Sequence, residues 1–478
     1  MAPKQLHVAI VASPGIGHLL PVLLLGNRLV THHNLRVTVL SVITTDTSSA
    51  VYDLLTSFTT NTTLSVIRIP AANISSIVHP DAKVVTRLCV MMRETIPAIR
   101  ESIWSMDSHP HVLIADIFSN ESWVIAEELG IPKYAFVTGS AWFTALFAYS
   151  PVLDKQVVGQ YVDLDEALEI PGCKSVRPED VVDPMLYRDD ETYGVYLAQA
   201  IDVTLADGML INTWEDLEPQ SLDALRNNPI LRSVVKHKPV YTVGPISKPY
   251  EPTVLKNEVI EWLDKQPKRS VIYVSFGSGG TISVEQMNEL MFGLEMSRQR
   301  FVWVVRPPSG KGSDSSFFKG GQPSGPDGPC GYLSEGFLAR TVKVGLVVPS
   351  WAPQPEILNH PSVAGFLTHC GWNSTLESIT SGVPMIAWPL YAEQKLNATM
   401  LAEELKVAVR PEVLPTKKVV GREEVARMVT DLVEGENGKA MKVKVMRLKE
   451  DAEKAISENG SSYISICKFI EDCLSQIQ

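Results

Sequence analysis

The residues best suited to proton transfer are a histidine and an aspartate that lie far apart along the chain. His18 follows the glycine-rich turn at positions 13–17, where a first strand passes into a first helix. The helix dipole disfavours a charged imidazole there, and a neutral imidazole can act as a general base. Asp116 ends the apolar run 112–115, so we expect it at the same sheet edge, where it could orient the imidazole. Taken singly, each residue also fits a structural role, as a locally hydrogen-bonded histidine or a helix-capping aspartate.

A second group of residues is suited to binding an anion. The segment Thr-His-Cys-Gly-Trp-Asn-Ser at 368–374 follows an apolar strand and opens a helix, which we expect Asn373 or Ser374 to cap. The N–H groups of the first turn, the helix dipole and His369 would then bind an anion. The turn at 276–280, which contains Ser278, follows another strand and could add donors. This arrangement suits a diphosphate without a magnesium ion, and no Gly-x-x-x-x-Gly-Lys-Ser/Thr pattern occurs in the sequence.

Groups that could bind the remainder of a nucleotide sugar flank this anion site. Trp351 offers a flat face for a nucleobase, and Glu377 could accept hydrogen bonds from ribose hydroxyls. Glu393 and Gln394 supply acceptors and donors suited to sugar hydroxyls. Each residue alone would be interpreted as part of a core or a helix surface. In combination, residues 351–394 offer a matching group for base, ribose, diphosphate and sugar.

Residues 351–394 resemble, over their full length and without gaps, the signature box of the plant family 1 UDP-glycosyltransferases. The resemblance extends over nearly the entire chain. It is closest to the phenol and hydroquinone (arbutin synthase-like) glucosyltransferase group, through residues 275–281, the Ser/Gly-rich loop near Ser309 and residues 388–394. It implies a GT-B fold and an inverting transfer of glucose from UDP-glucose to a hydroxyl of a small aromatic acceptor, giving a β-glucoside. Phenols, hydroquinone, indoxyl, monolignols and flavonoids are candidate acceptors, and amine or thiol acceptors are open alternatives.

The resemblance also implies roles for individual residues. His18 would be the general base and Asp116 its orienting partner. The UDP-sugar donor would be held by residues that run from its uracil to its sugar: Trp351, Ala352 and Gln354 at the uridine, Glu377 at the ribose, Ser278, His369, Asn373 and Ser374 at the diphosphate, and Trp372, Glu393 and Gln394 at the sugar. Gln394 favours glucose over galactose in this family. The expected acceptor pocket is apolar and contains Gly17, Phe118, Trp142, Phe143, Phe147 and Tyr391.

Strands and helices alternate along the chain in two blocks, which predicts parallel sheets with helices on both faces. A proline-rich passage near 236–254 separates the blocks. We therefore expect an α/β protein with two Rossmann-like, doubly wound domains facing each other across a cleft. The predicted divisions are an acceptor-binding domain at 1–243, a linker at 244–256, a UDP-sugar-binding domain at 257–458 and a tail helix at 459–478 that returns to the first domain.

Composition excludes several other classes of protein. The net charge of −11 argues against a nucleic-acid-binding protein, and we find no apolar stretch of about 18 residues that would span a membrane. The start of the chain has no signal-peptide pattern, and the six cysteines form no Cys-x-x-Cys pair, so we expect a cytoplasmic, monomeric protein without a metal or bound cofactor.

Two alternative functions remain open at this point. The turn near Gly17 also suits a nicotinamide-dependent oxidoreductase, but Leu20 replaces the third glycine of that fingerprint and no acidic residue closes the second strand. A UDP-sugar-binding protein without catalytic activity is the other alternative, and the presence of both His18 and Asp116 argues against it.

Overall fold

The computed structural model describes residues 5–45, 47, 49–59, 64–79, 81–248, 257–308, 331–334 and 336–477. The chain divides into two compact units, one comprising Met1–Ile246 with Lys454–Gln478 and the other Ser247–Glu453. Two sequence predictions lie outside the described residues: positions 249–256 of the expected linker, and the Ser/Gly-rich loop near Ser309. Within the described ranges, no helix is both long enough and apolar enough to cross a membrane.

A seven-stranded sheet forms the centre of the first unit, and all its paired strands are parallel. Its strands are β1 (His7–Ala12), β2 (Arg36–Ile43), β3 (Leu64–Pro70), β4 (Val112–Asp116), β5 (Lys133–Val137), β6 (Gly208–Ile211) and β7 (Val240–Thr242). Every residue of β1 and of β4 is buried. Continuous burial is expected of central parallel strands, which helices cover on both faces, and it explains the unbroken apolar runs in the sequence.

Helices connect these strands, and one further helix of this unit comes from the end of the chain. They are α1 (Ile16–His33), α2 (Ser49–Phe58), α3 (Val84–Trp104), α4 (Trp123–Leu129), α5 (Ala141–Gln156), α6 (Glu191–Val203), α7 (Pro219–Asn227) and α8 (Pro229–Val234). The tail helix, which spans Ser461–Ile477, also packs in this unit. Its Phe469 ring lies edge-on to Tyr134 at 4.9 Å, and its Asp472 accepts a hydrogen bond of 2.6 Å from the Tyr241 hydroxyl.

The strand order of this sheet is β3-β2-β1-β4-β5-β6-β7. The direction of winding therefore reverses between β1 and β4, whose registers pair Val11 with Ala115. In doubly wound sheets, ligands bind beyond the carboxyl ends of the strands at such a reversal. The segments that leave β1 and β4 at that edge contain His18 and Asp116.

The second unit contains a six-stranded parallel sheet with the order β10-β9-β8-β11-β12-β13. Its strands are β8 (Val271–Ser275), β9 (Arg300–Val305), β10 (Gly345–Pro349), β11 (Val363–Thr368), β12 (Met385–Ala387) and β13 (Ala408–Val409). Here the winding reverses between β8 and β11, where Ser275 pairs with Thr368. The turns that follow these two strands are the glycine-rich turn at 276–280 and the segment around His369.

Residues 351–394 contribute to three of the helices of the second unit. They are α9 (Glu258–Leu263), α10 (Val284–Ser297), α11 (Phe337–Thr341), α12 (Gln354–Leu358), α13 (Trp372–Ser381), α14 (Gln394–Thr399), α15 (Arg422–Glu434) and α16 (Glu436–Ile456), and the tail helix is α17. A π-helical turn at Met400–Glu404 continues α14. Ser283 caps α10 by accepting from the backbone N–H of Gln286. The predicted alternation of strands and helices is therefore present in both units.

Candidate active site

His18 and Asp116 lie in contact at the reversal of the first sheet. The His18 Nδ1 atom is 3.4 Å from Oδ2 of Asp116, and the His18 side chain is 17% exposed whereas that of Asp116 is fully buried. The backbone produces this contact, because β1 and β4 are neighbours and the first turn of α1 begins four residues after β1 ends. Since Nδ1 faces the carboxylate, Nε2 is the imidazole nitrogen available to a substrate.

Hydrogen bonds fix the Asp116 carboxylate on both of its oxygens. Oδ2 accepts from the backbone N–H and the hydroxyl of Ser13, at 3.0 and 2.5 Å. Oδ1 accepts from the hydroxyl of Ser119 at 2.6 Å and the backbone N–H of Phe118 at 3.2 Å. Burial raises the pKa of Asp116, but the interactions with His18 and with the two serine hydroxyls outweigh it and lower the pKa overall. The aspartate is therefore an ionised, rigidly held partner for the imidazole.

Aromatic and open surroundings adjoin the histidine. The Phe118 ring lies 4.9 Å from the His18 ring, tilted by 56°. A side chain added at Gly17 would meet no atom within 4 Å in the described structure, so there is space beside His18. Thr138 Oγ1 lies 3.5 Å from His18 Nδ1 and comes just before α5, which carries several of the predicted acceptor residues.

The predicted acceptor residues on α5 are buried. Trp142 and Phe147 lie on α5 and are 3% and 2% exposed. Phe147 stacks on Phe143 at 5.3 Å, so these rings belong to a packed interior. Tyr391, by contrast, is half-buried and belongs to the second unit.

The anion site predicted in the second unit differs from expectation at the helix cap. Gly371, and not Asn373 or Ser374, is the N-cap residue of α13, and no side chain caps the helix. Asn373 and Ser374 instead lie in the first helical turn. The prediction was wrong because the helix begins directly after the extended Gly371, before the residues with good capping side chains. A helix start without a side-chain cap, at a sheet reversal, suits an anionic ligand.

Two glycines create the space for His369 in front of this helix. A Cβ atom at Gly277 would lie 2.4 Å from His369 Nε2, and one at Gly371 would lie 2.5 Å from the same atom. Gly277 also has a φ of 71°, which side chains disfavour. Burial, followed by the charge of Arg306, lowers the pKa of His369 to about 3, so the ring is neutral at physiological pH. His369 can therefore donate a hydrogen bond to an anion without adding charge.

Hydrogen bonds link three of the predicted donor-binding residues. The Gln354 side-chain amide donates to Ser374 Oγ at 2.9 Å and to Glu377 Oε2 at 2.7 Å. Glu377 is 8% exposed, and burial raises its pKa to about 7 against the lowering effect of Gln354. When it is ionised, this carboxylate can accept hydrogen bonds from the two ribose hydroxyls, as the predicted contact requires.

The outer donor-binding residues differ in exposure. The Trp351 side chain is 66% exposed, which leaves its ring face open, while Ala352 is buried beside it. Ser278 is exposed in the turn after β8. An exposed tryptophan at the carboxyl end of a strand is a suitable stacking surface for a base.

At the predicted sugar end, Gln394 is buried and its amide oxygen accepts from the backbone N–H groups of Leu390 and Tyr391, at 2.9 and 3.1 Å. Because the amide oxygen faces the backbone, the amide nitrogen is the group of Gln394 that we expect to donate to a ligand. Glu393 is half-buried at the start of α14, and Trp372 is 3% exposed.

The sequence interpretation missed several residues around these sites. Ser13 and Ser119 hold Asp116, and Arg306 follows β9 at the edge that carries His369. A polar residue immediately after an apolar run was the signal used for Asp116, and it applies equally to Arg306. No group of three or more His, Cys, Asp or Glu side chains is arranged to hold a metal ion in the described ranges.

Comparisons with known proteins show the family to which the chain is similar. The family model for "UDP-glucoronosyl and UDP-glucosyl transferase" covers residues 236–452. Anthocyanidin 3-O-glucosyltransferase 5 of Manihot esculenta is 51% identical, over 96% of this chain and 93% of its own length. Hydroquinone glucosyltransferase of Rauvolfia serpentina is 40% identical, over 95% of each chain. The crystal structure of TcCGT1 in complex with UDP superposes with a TM-score of 0.92 at 47% identity, over 99% of this chain and 100% of that one.

Proposed function

The chain belongs to the plant family 1 UDP-glycosyltransferases and has their GT-B fold, and from that premise we propose that it transfers glucose from UDP-glucose to a hydroxyl of a small aromatic acceptor. The transfer inverts the anomeric centre and gives a β-glucoside. The observation that carries the proposal is the contact between His18 and the buried, ionised Asp116.

The second unit provides the groups for the donor. Trp351 stacks on the uracil, next to Ala352, and Glu377 accepts from the ribose while Gln354 fixes its position. The N-terminus of α13, with Asn373, Ser374, His369 and the neighbouring Ser278, binds the diphosphate. Trp372, Glu393 and the free amide nitrogen of Gln394 hold the glucose. Stabilisation of the departing UDP by such fixed donors is often the largest single contribution to catalysis.

The reaction is a single displacement at the anomeric carbon. His18 Nε2 removes the acceptor hydroxyl proton while the acceptor oxygen forms its bond to that carbon. The bond from the carbon to the phosphate oxygen breaks at the same time, and UDP leaves with the bonding electrons. Asp116 keeps the proton of neutral His18 on Nδ1 and stabilises the imidazolium that forms. Attack from the face opposite UDP produces the inversion.

An aromatic acceptor is supported by the surroundings of His18 and by the relatives. The Phe118 ring packs beside the imidazole, and Gly17 leaves open space there. The two relatives named above are glucosyltransferases whose names specify anthocyanidin and hydroquinone, both aromatic hydroxyl compounds. We therefore propose a phenolic acceptor of the hydroquinone, flavonoid, indoxyl or monolignol type. A cytoplasmic, monomeric enzyme also remains our prediction.

The family assignment excludes the alternative of a nicotinamide-dependent oxidoreductase. A transfer assay distinguishes an active enzyme from a protein that only binds the donor. Purified protein, UDP-glucose and a panel of phenols are incubated and products are identified by mass spectrometry. The anomeric proton coupling in NMR then distinguishes a β- from an α-glucoside. Binding of UDP without any glucoside product would refute the proposed activity, and an α-glucoside would refute the single displacement.

A histidine variant tests the catalytic role within the same assay. His18→Ala should lower kcat by about 10²–10⁴, the usual contribution of a general base, with the UDP dissociation constant unchanged. His32→Ala is the matched control, because His32 is exposed in the last turn of the same helix. Near-full turnover by the His18 variant would remove His18 from the mechanism.

A further inference from the structure

Arg306 places a partly buried positive charge at the edge of the second sheet that carries the predicted diphosphate site. It follows β9 directly, and its Nε and Nη2 atoms donate to the backbone oxygen of Ser350 at 3.3 and 3.1 Å. Its Nη1 atom is buried and has no hydrogen-bond partner among the described residues. Among the described residues, no carboxylate forms an ion pair with this guanidinium.

Arg306 and several residues of the glycine-rich turn line the same small cavity. The cavity measures about 10 Å³ and is lined by Gly277, Gly280, Thr281, Trp303 and Arg306, among others. The Thr281 hydroxyl and the Trp303 indole nitrogen are likewise buried without a partner in the described structure. A space of this size admits about one water molecule and no carboxylate or phosphate. The charge that compensates Arg306 must therefore lie outside the cavity.

Even a partly buried cation without a counter-ion is costly, so a nearby anionic ligand would stabilise Arg306. Burial lowers the pKa of Arg306, but an arginine stays protonated in proteins at neutral pH. After burial, its charge is the second cause of the lowered pKa of His369, whose ring lies against Gly277. The glycine-rich turn thus adjoins both the cavity that Arg306 lines and the ring of His369 at the predicted diphosphate site.

We propose that Arg306 is a positioning residue for the donor, whose charge beside the turn at 276–280 attracts and orients the diphosphate of UDP-glucose. The inference rests on the proposed function and adds a source of positive charge outside the signature segment. It gives the unpaired guanidinium a counter-ion that arrives with the substrate and departs with UDP.

Binding of three ligands that differ only in phosphate content tests this role. The dissociation constants of uridine, UMP and UDP are measured by calorimetry for the wild type and for Arg306→Met. We expect the UDP affinity to fall about ten-fold, that of UMP to fall less and that of uridine to change by less than about two-fold. Arg306→Gln, which can still donate to Ser350 but carries no charge, should show the same order. Arg306→Lys, which keeps the charge, should recover most of the UDP affinity.

Arg300→Met is the matched control, because Arg300 begins the same strand at the opposite edge of the sheet. It should leave all three affinities unchanged. If the Arg306 variants weaken the binding of all three ligands equally, Arg306 only supports Ser350 and the neighbouring Trp351 at the predicted base site. That result would overturn the proposal. Unchanged affinities would also overturn it. Failure of the wild type to bind UDP would instead refute the proposed function itself, which distinguishes the two.

Discussion

Replacing Asp116 by asparagine tests the catalytic pair most directly, because the change removes charge with almost no change in volume. The carboxylate accepts four hydrogen bonds, and two of the donors are the backbone N–H groups of Ser13 and Phe118. An asparagine has only one acceptor oxygen, so its amide NH₂ must face one of these N–H groups. Leaving one buried N–H without an acceptor costs about 1–3 kcal/mol, which is the expected loss in the free energy of unfolding.

The catalytic loss from Asp116→Asn should be larger than the loss of stability. With its NH₂ towards His18, the asparagine donates to Nδ1 and moves the imidazole proton to Nε2, which can then no longer accept a proton. We expect kcat to fall by about 10²–10⁴, equivalent to about 3–5 kcal/mol in the activation barrier. UDP affinity should stay within about two-fold, since the donor-binding residues lie in the other unit.

The assay measures glucoside formation from UDP-glucose and hydroquinone at saturating substrate, with UDP binding measured by calorimetry. Asp207→Asn is the control, because Asp207 also accepts from a backbone N–H but lies before β6, at the opposite edge of the sheet. A kcat within about three-fold of the wild type would refute the orienting role of Asp116. A collapse of UDP affinity would show that the residue is structural.

Three further predictions concern the second unit. Trp351→Ala should weaken UDP binding by about ten-fold or more, since stacking contributes about 1–3 kcal/mol, while the melting temperature of this exposed site hardly changes; an unchanged affinity would remove Trp351 from the base site. Gly277→Ala should weaken UDP binding and lower the melting temperature, because its methyl group would overlap the His369 ring, whereas Gly194→Ala, which meets nothing within 4 Å, should not. Burial raises the pKa of Glu377 from 4.5 to about 7. Between pH 4.5 and 7, the folded protein therefore holds a proton on Glu377 that the unfolded chain has lost. The contribution of Glu377 to the free energy of unfolding consequently falls as the pH rises from 4.5 to 7. Glu377→Gln should abolish that part of the pH dependence in denaturant titrations, and an unaltered profile would contradict the raised pKa.

The sequence predicted the repeated strand-helix pattern because central parallel strands are buried on both faces. Their apolar runs, such as 112–115 before Asp116, are therefore visible without tertiary information. The chemical types in residues 351–394 were also sufficient to indicate a UDP-sugar donor, and the family comparisons support that assignment.

The helix cap of α13 could not be predicted in the same way. Capping preferences favour Asn373 and Ser374, but the backbone leaves Thr368 of β11 through Cys370, whose φ is 65°, and enters the helix at once after Gly371. The Cys370 carbonyl is held by the side-chain amide of Asn397, which lies 27 residues further on. The preference of Asn and Ser for cap positions therefore did not decide where α13 begins.

By itself, the sequence determined which side chains are present and the strand ends at which they emerge. That information sufficed for the family, the donor and the pairing of His18 with Asp116 as a hypothesis. Only the tertiary structure decided which groups meet: the 3.4 Å contact between those two residues, the glycines that enclose His369, and the Arg306 Nη1 atom that is buried without a hydrogen-bond partner among the described residues. The reason is physical, because burial and hydrogen bonding set the charge state of a side chain, and both depend on neighbours that the linear sequence does not place together.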